Sequence, residues 1–112
     1  LVAYAGDKNL TVGLSGEADW VADGERIATI ANGHALMAKV TAMGCAGSAL
    51  NAACLAVEPD AWRATAAALI IIGVAGEVAA ARAAGPGSFA VAIVDALYNI
   101  DGPTLVAHAK VS

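Results

Sequence analysis

The order of apolar and polar positions predicts a helix end followed by three strands in the first third of the chain. Leu1–Gly6 closes with a glycine and a polar stretch, which favours the end of a short helix. Leu10–Leu14 is short and apolar, as a buried strand is. Asp19–Ala22 and Ile27–Ala31 alternate like paired strands, and the Asp-Gly step between them is typical of a hairpin turn.

The middle of the chain predicts two helices. Residues 46 to 57 are small and apolar and include no proline, which favours a helix. Glu58-Pro59-Asp60 interrupts that pattern, and Asp60 can cap a second, long helix from Ala61 to about Ala84.

The last third predicts one more helix and an edge strand. Gly85-Pro86-Gly87-Ser88 stops the long helix, and Ser88 can cap a helix from Phe89 to about Asn99. Thr104–Val111 then alternates loosely, as an edge strand does. Strands that lead into helices indicate an α/β fold.

The predicted long helix is apolar on nearly all sides at its middle. Leu69–Ile72 and Val74 cover most of its circumference, so we expect it to be buried all round. Gly73 and Gly76 would let another helix approach closely. A chain of 112 residues can scarcely surround such a helix, so we expect a longer polypeptide or a partner subunit.

The composition also suggests that this segment packs against a longer polypeptide or a partner subunit. The chain is 59% hydrophobic and only 14% charged, against an average charged share of roughly 25%. So few charges suggest that one face packs against something outside this segment. The net charge of −4, without a basic run, disfavours nucleic acid and anionic membranes as partners. The charge-free stretch from Ala64 to Gly76 is shorter than the about 20 residues that span a bilayer.

The two cysteines predict neither a disulfide nor a zinc site. Cys45 and Cys54 are nine positions apart in a predicted helix, about 13.5 Å, which is too far for a disulfide. His34 and His108 are distant in sequence and no CxxC is present, which disfavours zinc. We therefore expect a reducing, cytoplasmic location.

The segment Lys39–Cys45 carries the clearest chemistry. A tight turn of small residues that opens a helix leaves backbone N–H groups unpaired at the positive end of the helix dipole, which favours phosphate binding. Cys45 falls in the first turn of that helix, where a thiol can become reactive. The alternative is a structural role, because free cysteines are often buried and unreactive.

Four segments of the chain resemble the C-terminal half of hydroxyethylthiazole kinases, in the same order and spacing. They are Leu14–Asp19, Asn32–His34, Lys39–Cys45 and Gly85–Phe89, and the likeness runs from about Leu10 to Asn99. The resemblance implies a ribokinase-like fold, a three-layer arrangement of a sheet between helices. It also implies that residues 1–112 are the C-terminal part of a single kinase domain whose N-terminal half is absent.

The resemblance implies an activity as well. Members of the family use ATP and magnesium (Mg2+) to phosphorylate the hydroxyl of 4-methyl-5-(2-hydroxyethyl)thiazole, a step of thiamine salvage. They are typically homotrimers with active sites between subunits. The magnesium-associated carboxylates, an ATP-binding arginine and part of the thiazole pocket belong to the N-terminal half. We therefore expect no metal ligand in this segment, and no activity from the segment alone.

The same resemblance assigns roles to individual residues. Cys45 matches the family's catalytic cysteine, the base toward the substrate hydroxyl. The backbone of Ala42, Met43 and Gly44 matches the anion hole for the transferred phosphoryl group. Ser15, with Gly16 beside it, matches the residue that contacts the phosphates of ATP.

Ala42 departs from the family pattern, which usually reads Thr-Gly-x-Gly-Cys. The glycine at this position also contacts the thiazole substrate. If the position has a positive φ, Ala42 is strained there; if φ is ordinary, the methyl group only crowds the pocket. Sequence leaves both possibilities open.

Several other residues have simpler interpretations. Cys54 is expected in the core, Glu17 and Asp19 as solvated loop carboxylates rather than metal ligands, and His34 on the surface. Trp20 and Trp62 are expected as core or interface anchors rather than adenine stackers. Glu77, on an apolar helix, is expected to pair with Arg82 or with a group outside the segment.

Two further functions remain possible at this point. One is a non-catalytic relative that binds nucleotide or thiazole, with Ala42 closing the usual pocket. The other is a ribokinase-like kinase for a different small alcohol.

Overall fold

The structure is a computed structural model that describes all 112 residues. Five α-helices are present: α1 Val2–Lys8, α2 Met43–Val57, α3 Ala61–Arg82, α4 Pro86–Asn99 and α5 Gly102–His108. Three strands, β1 Val12–Leu14, β2 Asp19–Ala22 and β3 Ile27–Ile30, precede a 3-10 helix at Ala35–Lys39. The predicted α/β class is confirmed, and so is the hairpin of β2 and β3.

The three strands form one antiparallel sheet in the order β1-β2-β3. Leu14 lies opposite Trp20, and Asp19 lies opposite Ile30. The end of β1, the start of β2 and the end of β3 therefore lie at the same end of the sheet. The prediction of a buried first strand was wrong, because β1 is a short edge strand and Leu14 is 55% exposed.

Helix α3 is the centre of the fold and contacts all three strands, the 3-10 helix, α2, α4 and α5. Ten of its 22 residues are buried, whereas Leu69, Ile70 and Ile71 are only partly buried, so the prediction of burial on all sides holds in part within this chain. By length and composition α3 could also cross a membrane. Its most apolar stretch is 56% buried within the fold, as is usual for the core helix of a globular protein.

Two groups of buried side chains pack against opposite halves of α3. We call the first the sheet cluster; it joins the strands to the beginning of α3 through Val21, Ala28, Ile30 and Ala66. The second, the α4 cluster, joins the end of α3 to α4 through Ala75, Ala79, Phe89, Ile93 and Ala96. Burial of apolar area in these two clusters is the main force that holds the strands and helices together.

The beginning of α4 differs from its prediction. The helix begins at Pro86, with Gly85 as the N-cap, so Ser88 lies inside the first turn. Proline is well tolerated at the first helical position because its missing N–H would be unpaired there in any case. Ser88 still contributes hydrogen bonds at the helix start. Its Oγ accepts from the N–H of Ala84 at 2.9 Å and from the N–H of Gly85 at 3.3 Å.

The predicted edge strand Thr104–Val111 was also wrong over most of its length. Residues 102 to 108 form α5, because the Asp101 carboxylate accepts a hydrogen bond from the Thr104 N–H at 2.9 Å and caps the helix. Pairing with the sheet is confined to the last residues. Val111 forms a bridge with Ile30, and two hydrogen bonds join Thr29 and Ser112.

Candidate functional site

The start of α2 holds the predicted phosphate-binding turn. Ala42 is the N-cap residue and has φ 71° and ψ 17°, which is a left-handed conformation. A residue with a Cβ atom is disfavoured there by roughly 1–2 kcal/mol. Of the two possibilities that the sequence left open, the structure therefore supports the strained one.

This turn presents unpaired backbone donors to solvent. No side chain caps the helix, and the N–H groups of residues 42 to 45 donate no hydrogen bond within the chain. The first helical bond runs from the Ala46 N–H to the Ala42 carbonyl at 2.9 Å. Ala42, Gly44 and Cys45 are exposed, whereas Met43 is partly buried against the α4 cluster. Such a helix start can accept an anion, since its N–H groups and its dipole both favour negative charge.

The two cysteines occupy different environments on α2. Cys45 is the third residue of the helix and its thiol is exposed beside the unpaired N–H groups. Cys54 is partly buried on the same helix, and burial raises the pKa of its thiol. Only Cys45 is therefore accessible to a substrate at the helix start.

Ser15 and Gly16 lie in the exposed turn between β1 and β2. The Gly16 N–H donates a hydrogen bond to Asp19 Oδ1 at 3.1 Å. Burial raises the pKa of Asp19, and this hydrogen bond offsets part of the rise. Asp19 is thus a partly buried member of its own turn, and the prediction that it is solvated was wrong; Glu17 is exposed, as expected.

The register of β2 and β3 shows where the Ser15–Gly16 turn lies relative to the segment that leads to α2. Because Asp19 lies opposite Ile30, the Ser15–Gly16 turn shares its end of the sheet with the segment that leaves β3 toward α2. No hydrogen bond joins Ser15 or Gly16 to residues 42 to 45. The register thus places the Ser15–Gly16 turn beside the exit of β3, and no hydrogen bond links it to the start of α2.

The candidate residues line an open surface. Two depressions lie elsewhere: one of ≈ 350 Å³ beside Arg82, Ser88 and Asp95, and an apolar one of ≈ 260 Å³ between α3 and α5. No three His, Cys, Asp or Glu side chains group so as to hold a metal ion.

A polar network that the sequence analysis missed lies next to the path toward α2. Glu77 Oε2 accepts hydrogen bonds from Asn32 Nδ2 at 2.6 Å and from the Gly33 N–H at 3.1 Å. Glu77 Oε1 pairs with Lys110 Nζ at 3.2 Å. Glu77 thus pairs with Asn32, Gly33 and Lys110, and the pairing expected with Arg82 is wrong. A single acid in an otherwise apolar helix was the signal for such a network.

The electrostatics of Glu77 follow from its partners. Burial alone would raise the pKa of this carboxyl, but the hydrogen bonds from Asn32, Gly33 and Lys110 outweigh it and hold the pKa below its usual value. Glu77 is therefore ionised at neutral pH and is a strong acceptor.

Two of the other residues singled out in the sequence, His34 and Trp62, have structural roles. His34 is exposed, as expected, and its Nδ1 accepts a hydrogen bond from the Leu36 N–H at 3.1 Å at the start of the 3-10 helix. Trp62 packs against the sheet cluster and donates from Nε1 to the Val21 carbonyl at 3.3 Å, as expected of an anchor. Trp20, in contrast, is 41% exposed on β2.

Comparison with known proteins identifies relatives over nearly the whole chain. The family model described as "Hydroxyethylthiazole kinase family" matches residues 2–102. A hydroxyethylthiazole kinase of Granulibacter bethesdensis is 50% identical over 94 residues, which is 84% of this chain and 34% of that protein. One of Moorella thermoacetica is 44% identical over 107 residues, 96% of this chain and 40% of that protein.

A solved structure shows the same fold. The hydroxyethylthiazole kinase protein of Pyrococcus horikoshii matches with a TM-score of 0.89 and 41% identity, over 93% of this chain and 41% of that one. This match confirms the predicted fold class. The chain spans between about a third and two fifths of the length of these relatives.

Proposed function

This chain belongs to the hydroxyethylthiazole kinase family, and we propose that its full-length protein phosphorylates the hydroxyl of 4-methyl-5-(2-hydroxyethyl)thiazole with ATP, in thiamine salvage. Membership of a kinase family implies the use of ATP. One observation within the chain supports the proposal most directly: unpaired N–H groups at residues 42 to 45 lie beside the exposed thiol of Cys45.

The proposed mechanism uses these two features together. The backbone N–H groups of Ala42, Met43 and Gly44 receive the transferred phosphoryl group, whose oxygens carry negative charge. Cys45 accepts the proton of the substrate hydroxyl while the hydroxyl oxygen attacks phosphorus and ADP leaves. Phosphoryl transfer depends mainly on positioning and charge stabilisation, which a fixed helix start supplies.

We propose that Ser15 and Gly16 contact the phosphates of ATP from the neighbouring turn. The exposure of that turn, and its place at the same end of the sheet as the path to α2, support this role. No three His, Cys, Asp or Glu side chains of this chain group together. We propose that Mg2+ is held by the phosphates of ATP and by carboxylates from another part of the full-length protein.

The exposed apolar surface supports a larger assembly. On α4, Val91, Val94 and Tyr98 are 66%, 65% and 87% exposed and recur at helical spacing, so they form an apolar stripe of the kind that marks interaction surfaces. We propose that residues 1–112 are the C-terminal part of one ribokinase-like domain, which the N-terminal half and neighbouring subunits of a cytoplasmic homotrimer cover.

A second function is favoured by one observation. Ala42 has the left-handed conformation that suits glycine, and it places a methyl group where the family usually has none. A non-catalytic relative that binds nucleotide or thiazole would tolerate this change. A ribokinase-like kinase for another small alcohol is a third candidate, with the methyl group altering the substrate pocket.

One assay separates these functions. The full-length protein is incubated with ATP and Mg2+ and either the thiazole alcohol or hydroxymethylpyrimidine, and phosphorylated product is measured. We expect turnover of the thiazole alcohol. Turnover of hydroxymethylpyrimidine alone would favour a different substrate, and nucleotide binding without any turnover would favour the binding protein.

A further inference from the structure

One face of α3 receives the chain directly after β3. A Cβ atom added at Gly73 would lie 2.7 Å from Asn32 Cβ and 3.0 Å from the Asn32 carbonyl carbon. Real Cβ atoms do not approach other atoms so closely, so only glycine lets the Asn32 backbone rest on α3. One turn further along the helix, Glu77 contacts the same segment. We call Gly73 and Glu77 together the α3 socket.

Glu77 holds both residues of the turn that lies in the socket. Its Oε2 accepts from Asn32 Nδ2 at 2.6 Å and from the Gly33 N–H at 3.1 Å. Gly33 has φ 125°, a conformation that residues with a Cβ rarely adopt. The direction in which the chain leaves β3 is thus fixed by a charged acceptor and a glycine.

The C-terminal residues complete the socket. Asn32 Nδ2 also donates to the His108 carbonyl at 2.7 Å, and Asn32 Oδ1 accepts from the Lys110 N–H at 2.7 Å. Lys110 Nζ reaches Glu77 Oε1 at 3.2 Å. Asn32 is only 6% exposed, so losing these partners would leave a buried amide unpaired.

The socket stands at the beginning of the segment that leads to the proposed anion hole. From Asn32 the chain passes through the 3-10 helix to Ala42, and Leu36 and Met37 of this helix and Val40 just after it pack on the α4 cluster. A strained residue such as Ala42 keeps its conformation only when its surroundings hold it there. The segment before Ala42 is therefore the part of the chain that must be rigid.

We propose that Glu77 is a positioning residue for phosphoryl transfer, which fixes the segment between Asn32 and Ala42 and so the direction of the N–H groups at residues 42 to 45. The C-terminal Lys110 is part of the same arrangement. This inference rests on the proposed function, and it adds Glu77, which lies 45 positions from its partner Asn32 in sequence.

The test compares variants of the full-length protein. Glu77→Ala removes both hydrogen bonds to the turn, and we expect kcat to fall about tenfold or more with the KM for ATP little changed, since small misplacements are costly in catalysis. Glu77→Gln keeps an oxygen that can accept from Asn32 and Gly33, so it should recover most of kcat. Gly73→Ala should lower kcat in the same way by pushing the Asn32 backbone away.

Two matched controls separate positioning from stability. Arg26→Gln breaks a comparable charged cluster, with Asp23 and Asp60, at the opposite end of β3. Gly87→Ala adds the same methyl group as Gly73→Ala, at a place where it meets no atom within 4 Å. Both controls should keep the kcat of the unaltered protein even where Arg26→Gln lowers the thermal midpoint.

Hydrogen exchange supplies a readout that does not depend on activity. The hydrogen-bonded amides of Met37 and Ala46, which donate to the carbonyls of His34 and Ala42, should exchange faster in Glu77→Ala and Gly73→Ala than in the unaltered protein, and at the unaltered rate in the two controls. If both socket variants keep normal kcat and normal exchange, the positioning role is overturned while the proposed function stands. If the unaltered protein shows no turnover, the proposed function fails, and the exchange rates alone test whether Glu77 fixes this segment. If Glu77→Ala does not fold, the exchange rates and kcat of Gly73→Ala test the same role.

Discussion

The starts of α2 and α3 lie only eighteen residues apart in sequence and are built in opposite ways. Helix α3 begins at Asp60, whose carboxylate accepts hydrogen bonds from the N–H groups of Trp62 at 3.1 Å and Arg63 at 3.4 Å. Helix α2 begins at Ala42, which has no capping side chain and a left-handed backbone. One helix start satisfies its donors, and the other leaves them free.

The surroundings of the two starts differ in the same sense. The guanidinium of Arg26 donates to both oxygens of Asp60, at 2.7 and 3.0 Å, and lies 4.8 Å from the centre of the Trp62 ring. Ala42, Gly44 and Cys45 are exposed and make no such contacts. A helix start that must bind a phosphate cannot also be capped, so its stability has to come from elsewhere in the fold.

The largest effect is expected from the thiol beside the free donors. In the full-length enzyme, Cys45→Ser should lower turnover by about 100-fold or more, the usual contribution of a positioned acid or base. Cys45→Asp should keep substantial activity, because a carboxylate can accept the same proton. Steady-state phosphorylation of the thiazole alcohol measures both.

Cys54→Ser is the matched control for this prediction. Cys54 lies on the same helix but is partly buried and away from the helix start, so its replacement should leave turnover near that of the unaltered enzyme. Unaltered turnover in Cys45→Ser would contradict the assignment of the base.

Removing the cap of α3 should lower the thermal stability of the protein and leave the rate of phosphoryl transfer unchanged. Asp60→Ala deletes the acceptor for two backbone donors and the partner of Arg26. We expect the midpoint of thermal unfolding to fall by about 2–4 °C, with turnover at room temperature unchanged. A loss of turnover without a shift of the midpoint would mean that the two helix starts do not differ in the way described.

Relieving the backbone strain at Ala42 should raise the free energy of unfolding, whereas removing the cap of α3 should lower it. Ala42→Gly places the residue that favours φ 71° at this position, and the gain is partly offset by the greater freedom of glycine in the unfolded chain. We expect a net increase of about 0.5–1 kcal/mol in the free energy of unfolding, measured by urea denaturation. Turnover should be kept or increased; a lower stability would show that Ala42 is not strained.

The smallest effect concerns acid sensitivity at the α3 start. The hydrogen bond from Arg26 lowers the pKa of Asp60 to about 2, below the about 3.9 of a free aspartate. Because the folded-state pKa is the lower one, this stabilisation is present above about pH 4 and is lost as the pH falls toward about 2.

Asp60→Asn tests the predicted direction of this pH dependence. The asparagine can still cap α3 but cannot ionise, so unfolding free energies of the two proteins should differ most above about pH 4 and converge toward about pH 2. A difference that grows with acidity would contradict the direction of the pKa shift.

Local interactions explain which parts of this structure the sequence could predict. The Asp60 cap and the hairpin of β2 and β3 depend on neighbours a few positions away, and both are confirmed. Two errors came from local rules as well. The helix near residue 86 was expected to begin at Phe89, and Thr104–Val111 was expected to be a strand, whereas Pro86 and Pro103 each lie in the first turn of a helix, where proline is tolerated.

The site was predictable in part for the same reason. The place of Cys45 in the first turn of a helix follows from the local pattern, but the φ of Ala42 does not, because the sequence is compatible with either backbone conformation. The link between Asn32 and Glu77 joins residues 45 positions apart. Only the folded chain shows which distant polar group Glu77 meets.

The position of the two tryptophans has a practical consequence for following how this region unfolds. Trp20 and Trp62 both lie on the sheet side of α3, whereas the α4 cluster around Phe89 has none. Within these residues, indole fluorescence therefore reports the separation of the sheet from α3, while far-ultraviolet circular dichroism reports all the helices. Coincident transitions would show that the two sides of α3 unfold as one unit, and separate transitions would reveal an intermediate.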